Sequence, residues 1–441
     1  MKFINKIWAA LAISAGFLAV SCEDQPDAFV ATEGLPQVDY VRYADKDIAI
    51  TQAFMEESVC LVGENLRSIN QLWFNDQEAI LNTSYMTDNT LVVGVPKTKA
   101  TVQTDKIYMI TAAQDTVTYD FKVLAPAPVV KSMSNEYAAV GEEVTITGQY
   151  FISPITVEMQ GAVVEESAMK LTETSVTFAI PEGAQPGVIK VITASGTTAS
   201  PFQYRDPRGL ITDFDGPVVT VNSVDHCSSS TAGIIPQGWN IKVTYSSEGG
   251  VDGQYVQLGP VDLTADGAWN EELKLPFWCG NWNGDPMGIT SGAGVPICNI
   301  IDFTNFANMC IKFELCIPKE NSWKAGAMQI VFVSAARCAN DEWQNNTYIH
   351  TSATTDGLDL CRALYRPWEA TGEFHTDGKW ITVTIPFSDF IYNADGTLGK
   401  VPLSGPEDFA SLIIWPWSGG VNGADCTPIF RYDNIRAVPV K

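Results

Sequence analysis

Histidine is nearly missing from this chain: three among 441 residues, none of them in a His-Glu-x-x-His pattern. Cys-x-x-Cys and Gly-x-Ser-x-Gly are missing too. These absences remove support for metalloprotease, zinc-cluster and α/β-hydrolase chemistry. Basic side chains are also few, 27 Lys and Arg against 51 Asp and Glu, for a formal net charge of -24. No basic stripe exists to displace counterions, so nucleic acid and other polyanions are excluded as partners. Long helical periodicity is lacking, and after the first twenty-two residues no apolar run is long enough to cross a bilayer. What the chain has is apolar material, 46% of residues against 18% charged, which rules out wholesale disorder. It also has twelve tryptophans. At about 100–200 residues per domain, the length predicts two to four domains.

The N-terminus reads as an address. Lys2 and Lys6 precede an apolar run from Ile7 to Val20, and Ser21-Cys22 follows at once. Residues 1–21 are expected to be a lipoprotein signal peptide and Cys22 the lipidated residue, with residues 22–36 an acidic linker. Glu23-Asp24-Gln25-Pro26-Asp27 resembles the surface-export signal of Bacteroidetes lipoproteins, which implies an outer-membrane, cell-surface location with acyl chains as the anchor. The remaining nine cysteines include no metal-binding spacing, and buried free thiols are expected for most of them. Cys310 and Cys316 fall on one face of a single strand, too far apart to pair.

From residue 37 the chain is a series of short alternating runs punctuated by Gly, Asn, Asp and Pro, the pattern of a β-sandwich. Val59–Leu66, Gln71–Asp76, Thr90–Pro96, Ile107–Thr111 and Tyr119–Val123 are answered by Val144–Phe151, Thr156–Met159, Ser175–Pro181, Gly187–Val191 and Phe202–Tyr204. A repeat of roughly 80 residues is too long for a solenoid unit and fits tandem domains, 37–125 and 126–205. The order Val-Thr-Ile-Thr-Gly-x-x-Phe, Ser-Val-x-Phe-x-Ile-Pro-x-Gly, Gly-x-Ile-x-Val and Phe-x-Tyr resembles an IPT/TIG immunoglobulin-like domain, closely in 126–205 and more loosely in 37–125. That resemblance implies spacers. Gly148 is expected to permit the turn after its strand.

Residues 206–441 hold ten of the tryptophans and further strand signals, which predicts a β-sandwich jelly roll. The fold class expected is therefore all-β, tandem immunoglobulin-like sandwiches followed by a jelly-roll carbohydrate-binding domain. Trp380 opens an alternating strand and is expected to pack against the opposite sheet; Trp239 and Trp269 adjoin strand starts and are expected to pack as well. Trp278, Trp282, Trp343, Tyr365 and Trp368 instead lie among Gly, Asn, Asp, Pro and Arg, as in exposed loops or strand ends. Trp323 suits either setting. These six are the candidate ligand residues, because an aromatic face stacks on the C–H face of a sugar while neighbouring amides and charged groups bond its hydroxyls.

Asp213-Phe-Asp-Gly216, Ser322–Ile330, Arg362-Ala-Leu-Tyr-Arg-Pro-Trp368, Gly378–Pro386 and Tyr432–Val438 together resemble the glycan-binding domain of surface glycan-binding protein B from Bacteroidetes polysaccharide utilisation loci. The resemblance implies binding of a β-glucan such as xyloglucan, mixed-linkage glucan or β-1,3-glucan, beside a SusC/SusD-like importer, without chemistry. A glycoside hydrolase would need two carboxylates at fixed separation, and the adjacent pairs Glu271-Glu272 and Asp341-Glu342 point to opposite faces if extended. Asp213 and Asp215 share a face; hydrogen bonding at the first strand or ligation of a structural Ca²⁺ is their expected role, and no other cofactor is expected. An adhesin for host glycan or protein is the alternative reading.

Overall fold

The computed structural model describes residues 29–221, 224–231, 242–277, 279, 295–335 and 360–440. It divides into two compact units, Met1–Pro126 and Ala127–Lys441. The first unit is a sandwich. One sheet orders strands Ala49–Ile50, Gln37–Tyr43, Ser58–Glu64 and Thr90–Gly94; the other orders Gln77–Ala79, Ile69–Phe74, Lys106–Thr111 and Thr116–Asp120. Val41, Val59, Leu61, Leu72, Phe74, Leu91, Ile107 and Met109 fill the space between them, at the alternate positions that period-2 patterning requires.

The second unit opens with a similar sandwich, in which the short extra strand of the first sheet joins the edge opposite to the one it takes in the first unit. Val129–Met133, Glu143–Gln149, Ser175–Ala179 and Lys170–Thr172 form one sheet, and Ala162–Glu165, Ile155–Gln160, Gln185–Thr193 and Gly196–Tyr204 the other. The two repeats share a local device. In each, the first strand carries a bulge, between Val38 and Tyr40 and between Val130 and Ser132. Opposite it stands a glycine: a Cβ on Gly63 would lie 1.8 Å from the Gln37 carbonyl oxygen, and one on Gly148 1.9 Å from that of Val129. Gly148 lies inside its strand, not at a turn after it, and is needed because the bulged neighbour approaches its backbone. The left-handed turn comes two residues later, at Asn65 and Tyr150, both with φ 57°.

The C-terminal part is a larger sandwich. Its first sheet orders Val243–Ser246, Tyr255–Leu258, Phe430–Pro439, Met309–Cys316 and Ile381–Pro386, with Leu210–Thr212 also pairing to Phe430–Pro439. The second orders Leu275–Phe277, Ser411–Trp417, Ala327–Val333 and Ala363–Tyr365. All these pairings are antiparallel. Between the sheets lie Ile311, Phe313, Leu315, Met328, Ile330, Phe332, Leu412, Ile414, Phe430 and Tyr432. Gly405 is followed by a single 3-10 turn, Pro406–Asp408. All eight described cysteines are free, six of them buried.

Every residue of Met309–Cys316 is buried, because both faces of that strand are covered. Ile311, Phe313 and Leu315 face the core, while Lys312 and Glu314 face the preceding sandwich. There Glu136 binds the Lys312 ammonium, and Arg436 Nη2 donates to Glu136 at 2.9 Å. Arg436 also grips Glu314 at 2.8 and 3.1 Å, and its guanidinium lies 4.7 Å from the centre of the Tyr137 ring. Thr382 joins the set, accepting from the Glu136 amide and donating to Glu314, while its own amide bonds the Ser134 carbonyl. Tyr137, Val251, Tyr255, Cys316 and Trp380 pack beside this network. Trp380 is thus buried, but on the outer face of its sheet, edge-on to Tyr255 at 5.3 Å in the cluster that Tyr137 of the neighbouring sandwich joins, and not against the opposite sheet. Its indole N–H donates to the Gly249 carbonyl at 2.7 Å.

Candidate functional site

The second sheet of the C-terminal sandwich organises the site. Leu275–Phe277 and Ala327–Val333 both run antiparallel to Ser411–Trp417. Phe277 and Phe332 flank the same residue, Leu412. The chain therefore leaves both strands at one end of the sheet, towards residues 278–294 and 336–359. Trp278, Trp282 and Trp343 fall in those stretches, outside the described residues. Trp239 also lies outside them.

The other three candidates fall elsewhere. Tyr365 pairs with Met328, near the opposite end of the sheet. Its ring sits 6.2 Å from Trp323 and 6.4 Å from Phe374, and burial pushes its phenol up to about 12. Tyr365 stays half-buried and borders a cleft of about 280 Å³ with Leu364, Thr384, Asp389, Ile391 and Tyr392. Trp323 is wholly buried; its indole N–H donates to the Ala325 carbonyl. Trp368 is 3% exposed and donates to the Gly326 carbonyl at 2.9 Å. Neither of these two rings offers a face to a ligand. Flanking Arg, Pro and Lys suggested a loop, but each indole spends its single donor on a backbone carbonyl inside the core.

The face of this sheet turned away from the core carries groups that the sequence reading left out. Register places Trp415 beside Gln329, and Gln329 beside Leu364. Arg362 Nη1 donates to the Gln329 carbonyl oxygen at 2.8 Å, and the Gln329 amide donates to the carbonyls of Ala394 and Trp417. Trp415 and Trp417 stack at 25° with centroids 5.3 Å apart, and Trp269 stands edge-on to Trp415 at 4.4 Å. Lys274 Nζ lies 5.3 Å from the Trp415 ring centre and is paired with Glu271. The i, i+2 spacing of Trp415 and Trp417 was the available signal, since it puts both on one face of a strand. Trp269, expected to pack, is 43% exposed.

Asp213 accepts from the backbone and hydroxyl of Ser230, and Asp215 from the Gln254 amide at 2.7 Å. Among the described residues no three His, Cys, Asp or Glu side chains converge for a metal. Glu271 and Glu272, the described pair of adjacent acids, are bound to Lys274 and Lys242.

A β-sandwich with tryptophans on the outer face of one sheet suits a carbohydrate-binding class of domain. Residues 204–439 match the family model for the surface glycan-binding protein B xyloglucan binding domain, and residues 128–205 match the IPT/TIG domain. The crystal structure of surface glycan-binding protein PbSGBP-B from Prevotella bryantii is 38% identical, covers 93% of this chain and all of its own, and superposes with a TM-score of 0.73. The chain belongs to the surface glycan-binding protein B family. An IPT/TIG domain-containing protein of Bacteroides ovatus is 25% identical over 234 residues, 47% of this chain and 46% of that relative, so the match spans about half of each.

Proposed function

We propose that this protein captures a β-glucan of the xyloglucan, mixed-linkage or β-1,3 type at a bacterial cell surface and delivers it to a SusC/SusD-like importer without cleaving it. The family membership over 93% of the chain carries this reading. Lipidation at Cys22 would anchor the chain in the outer membrane, with the two immunoglobulin-like sandwiches following it in chain order before the glycan-binding domain. Trp278, Trp282 and Trp343 are proposed as the stacking residues, because Leu275–Phe277 and Ala327–Val333 end at the same end of one sheet and the sequence carries these tryptophans beyond them. Tyr365, on its separate cleft, is proposed as a flanking contact. The absence of a sequence motif for acid/base or nucleophilic work supports binding without turnover.

Affinity electrophoresis of the full chain through gels containing xyloglucan, mixed-linkage glucan or β-1,3-glucan tests the proposal. At least one polymer should retard it, and alanine at Trp278, Trp282 or Trp343 should relieve the retardation with the melting temperature unchanged. Free migration in all three gels would overturn the β-glucan reading.

A further inference from the structure

Trp417 pairs with Ala327, at the end of the second sheet opposite Phe277 and Val333. Six strand steps of about 3.3 Å separate Ala327 from Val333, so Trp417 and Trp269 stand about 20 Å from the rung where the Trp-bearing segments depart. We propose that Trp269 and Trp417 form a second stacking site there, for a neutral β-linked polysaccharide chain. The proposal rests on the glycan-binding reading of the domain and extends it to a place that reading does not use.

Three observations carry it. First, Trp269 is 43% exposed and Trp417 is partly exposed, whereas the other described tryptophans of this domain are buried. Exposed indole next to exposed indole leaves apolar surface in water unless something covers it. Second, the rings are held in place before any ligand arrives. Trp269 stands at 83° to Trp415 and 73° to Trp417. The turn before it is fixed to the sheet: the Ser418 amide donates to the Gly267 carbonyl at 2.8 Å, and the Trp415 indole N–H donates to the Asn270 carbonyl at 3.0 Å. Gly267 has φ 68°, and a Cβ there would sit 2.7 Å from the Gly326 Cα, so the close approach requires glycine. Ordering costs on binding are correspondingly small.

Third, the surrounding charge selects the occupant. Asp266 accepts from the Thr264 hydroxyl and Asp425 from the Ala265 amide, which places one carboxylate on the turn that leads to Trp269 and a second, from a facing segment, against it. Each retains lone pairs that accept from sugar hydroxyls. The nearby cations are already engaged, Lys274 by Glu271 and the Trp415 ring, and Arg366 by the Gly419 carbonyl and Glu369. Such a rim repels nucleic acid, anionic lipid and acidic polysaccharide, and leaves a neutral polyhydroxylated chain as the matching ligand.

A polymer long enough to reach both ends of the sheet gains avidity from two sites, and a short oligosaccharide does not. The test compares the full chain with a Trp269→Ala/Trp417→Ala variant, using the retarding polysaccharide and a trisaccharide cut from it, with Trp269→Phe as a ring-retaining control. Affinity for the polymer should fall by about tenfold or more. Trisaccharide affinity at the main site should stay constant, and Trp269→Phe should keep most of the polymer affinity. Unchanged polymer affinity in a variant that melts like the parent would overturn the second site. Equal losses for polymer and trisaccharide would overturn it too, by placing Trp269 in the main site. A sedimentation change from dimer to monomer would assign the patch to a second copy of the chain. If the parent protein itself binds no polysaccharide, the glycan reading fails first; if it binds and the double variant is unaffected, only the second site falls.

Discussion

Trp323 is enclosed by Tyr365, Phe374 and Phe430, with ring centroids 5.3 to 6.5 Å away. Trp323→Ala therefore leaves a cavity in the core and should cost about 3–5 kcal/mol, read as a large drop in melting temperature. Trp269→Ala removes a ring that water already touches and should cost about 1 kcal/mol or less. The reverse order of stabilities would contradict the assignment of one ring to packing and the other to the surface. Glu314 is a second residue with a measurable signature. Burial raises its carboxyl from 4.5 to about 7, against the pull of Arg436. Asp433 is held up in the same sense, by burial and by its neighbours Asp252 and Glu314. A carboxyl raised in the folded state binds its proton more tightly there than in the unfolded chain. The stability it contributes is complete below about 4.5 and is lost as pH rises through about 7. Melting temperature should thus fall between pH 5.5 and 8, and Glu314→Gln should flatten the slope. A melting temperature that rises over this range would count against the buried carboxyls as described.

At the scale of strands and turns, Gly148 supplies the sharpest prediction. A methyl group there would press on the Val129 carbonyl, so Gly148→Ala should cost about 1–3 kcal/mol by forcing the bulged strand outward. Denaturant melts of the variant would show it; a neutral effect would mean the bulge yields freely. The strands themselves were readable: Glu143–Gln149 and Ser175–Ala179 differ from the expected Val144–Phe151 and Ser175–Pro181 by one or two residues at the ends. Period-2 alternation declares a strand because each face meets a different medium. The same rule failed to say what covers the outer face. Lys312 and Glu314 look solvent-facing by pattern and Trp380 core-facing, yet all three lie on the outer face that the second sandwich covers. The ligand residues were legible only in part for a related reason. Local composition marks a tryptophan as loop-borne, but the indole N–H partners that bury Trp323 and Trp368 are created by tertiary contact.

In the whole molecule, the buried charges make the second immunoglobulin-like sandwich and the glycan-binding sandwich one unit. Removing one partner leaves others charged and uncompensated in the interior, at a cost of about 3–5 kcal/mol. Glu136→Ala, which strips a carboxylate from both Lys312 and Arg436, should split the unit's calorimetric transition into two. A single transition at the parent temperature would show that the charges do not couple the domains. This join gives the immunoglobulin-like sandwich more than a spacer's role, since it fixes the sheet opposite the one that bears the tryptophans. On the proposed reading, the scarcity of histidine and excess of tryptophan take on a common meaning, stacking without proton transfer. Calorimetric titration of the full chain with xyloglucan and with mixed-linkage glucan, with reducing ends measured in the same samples, tests that account most directly. It predicts saturable heat with at least one polymer and no new reducing ends. Absence of heat with both, or a steady release of reducing ends, would contradict it.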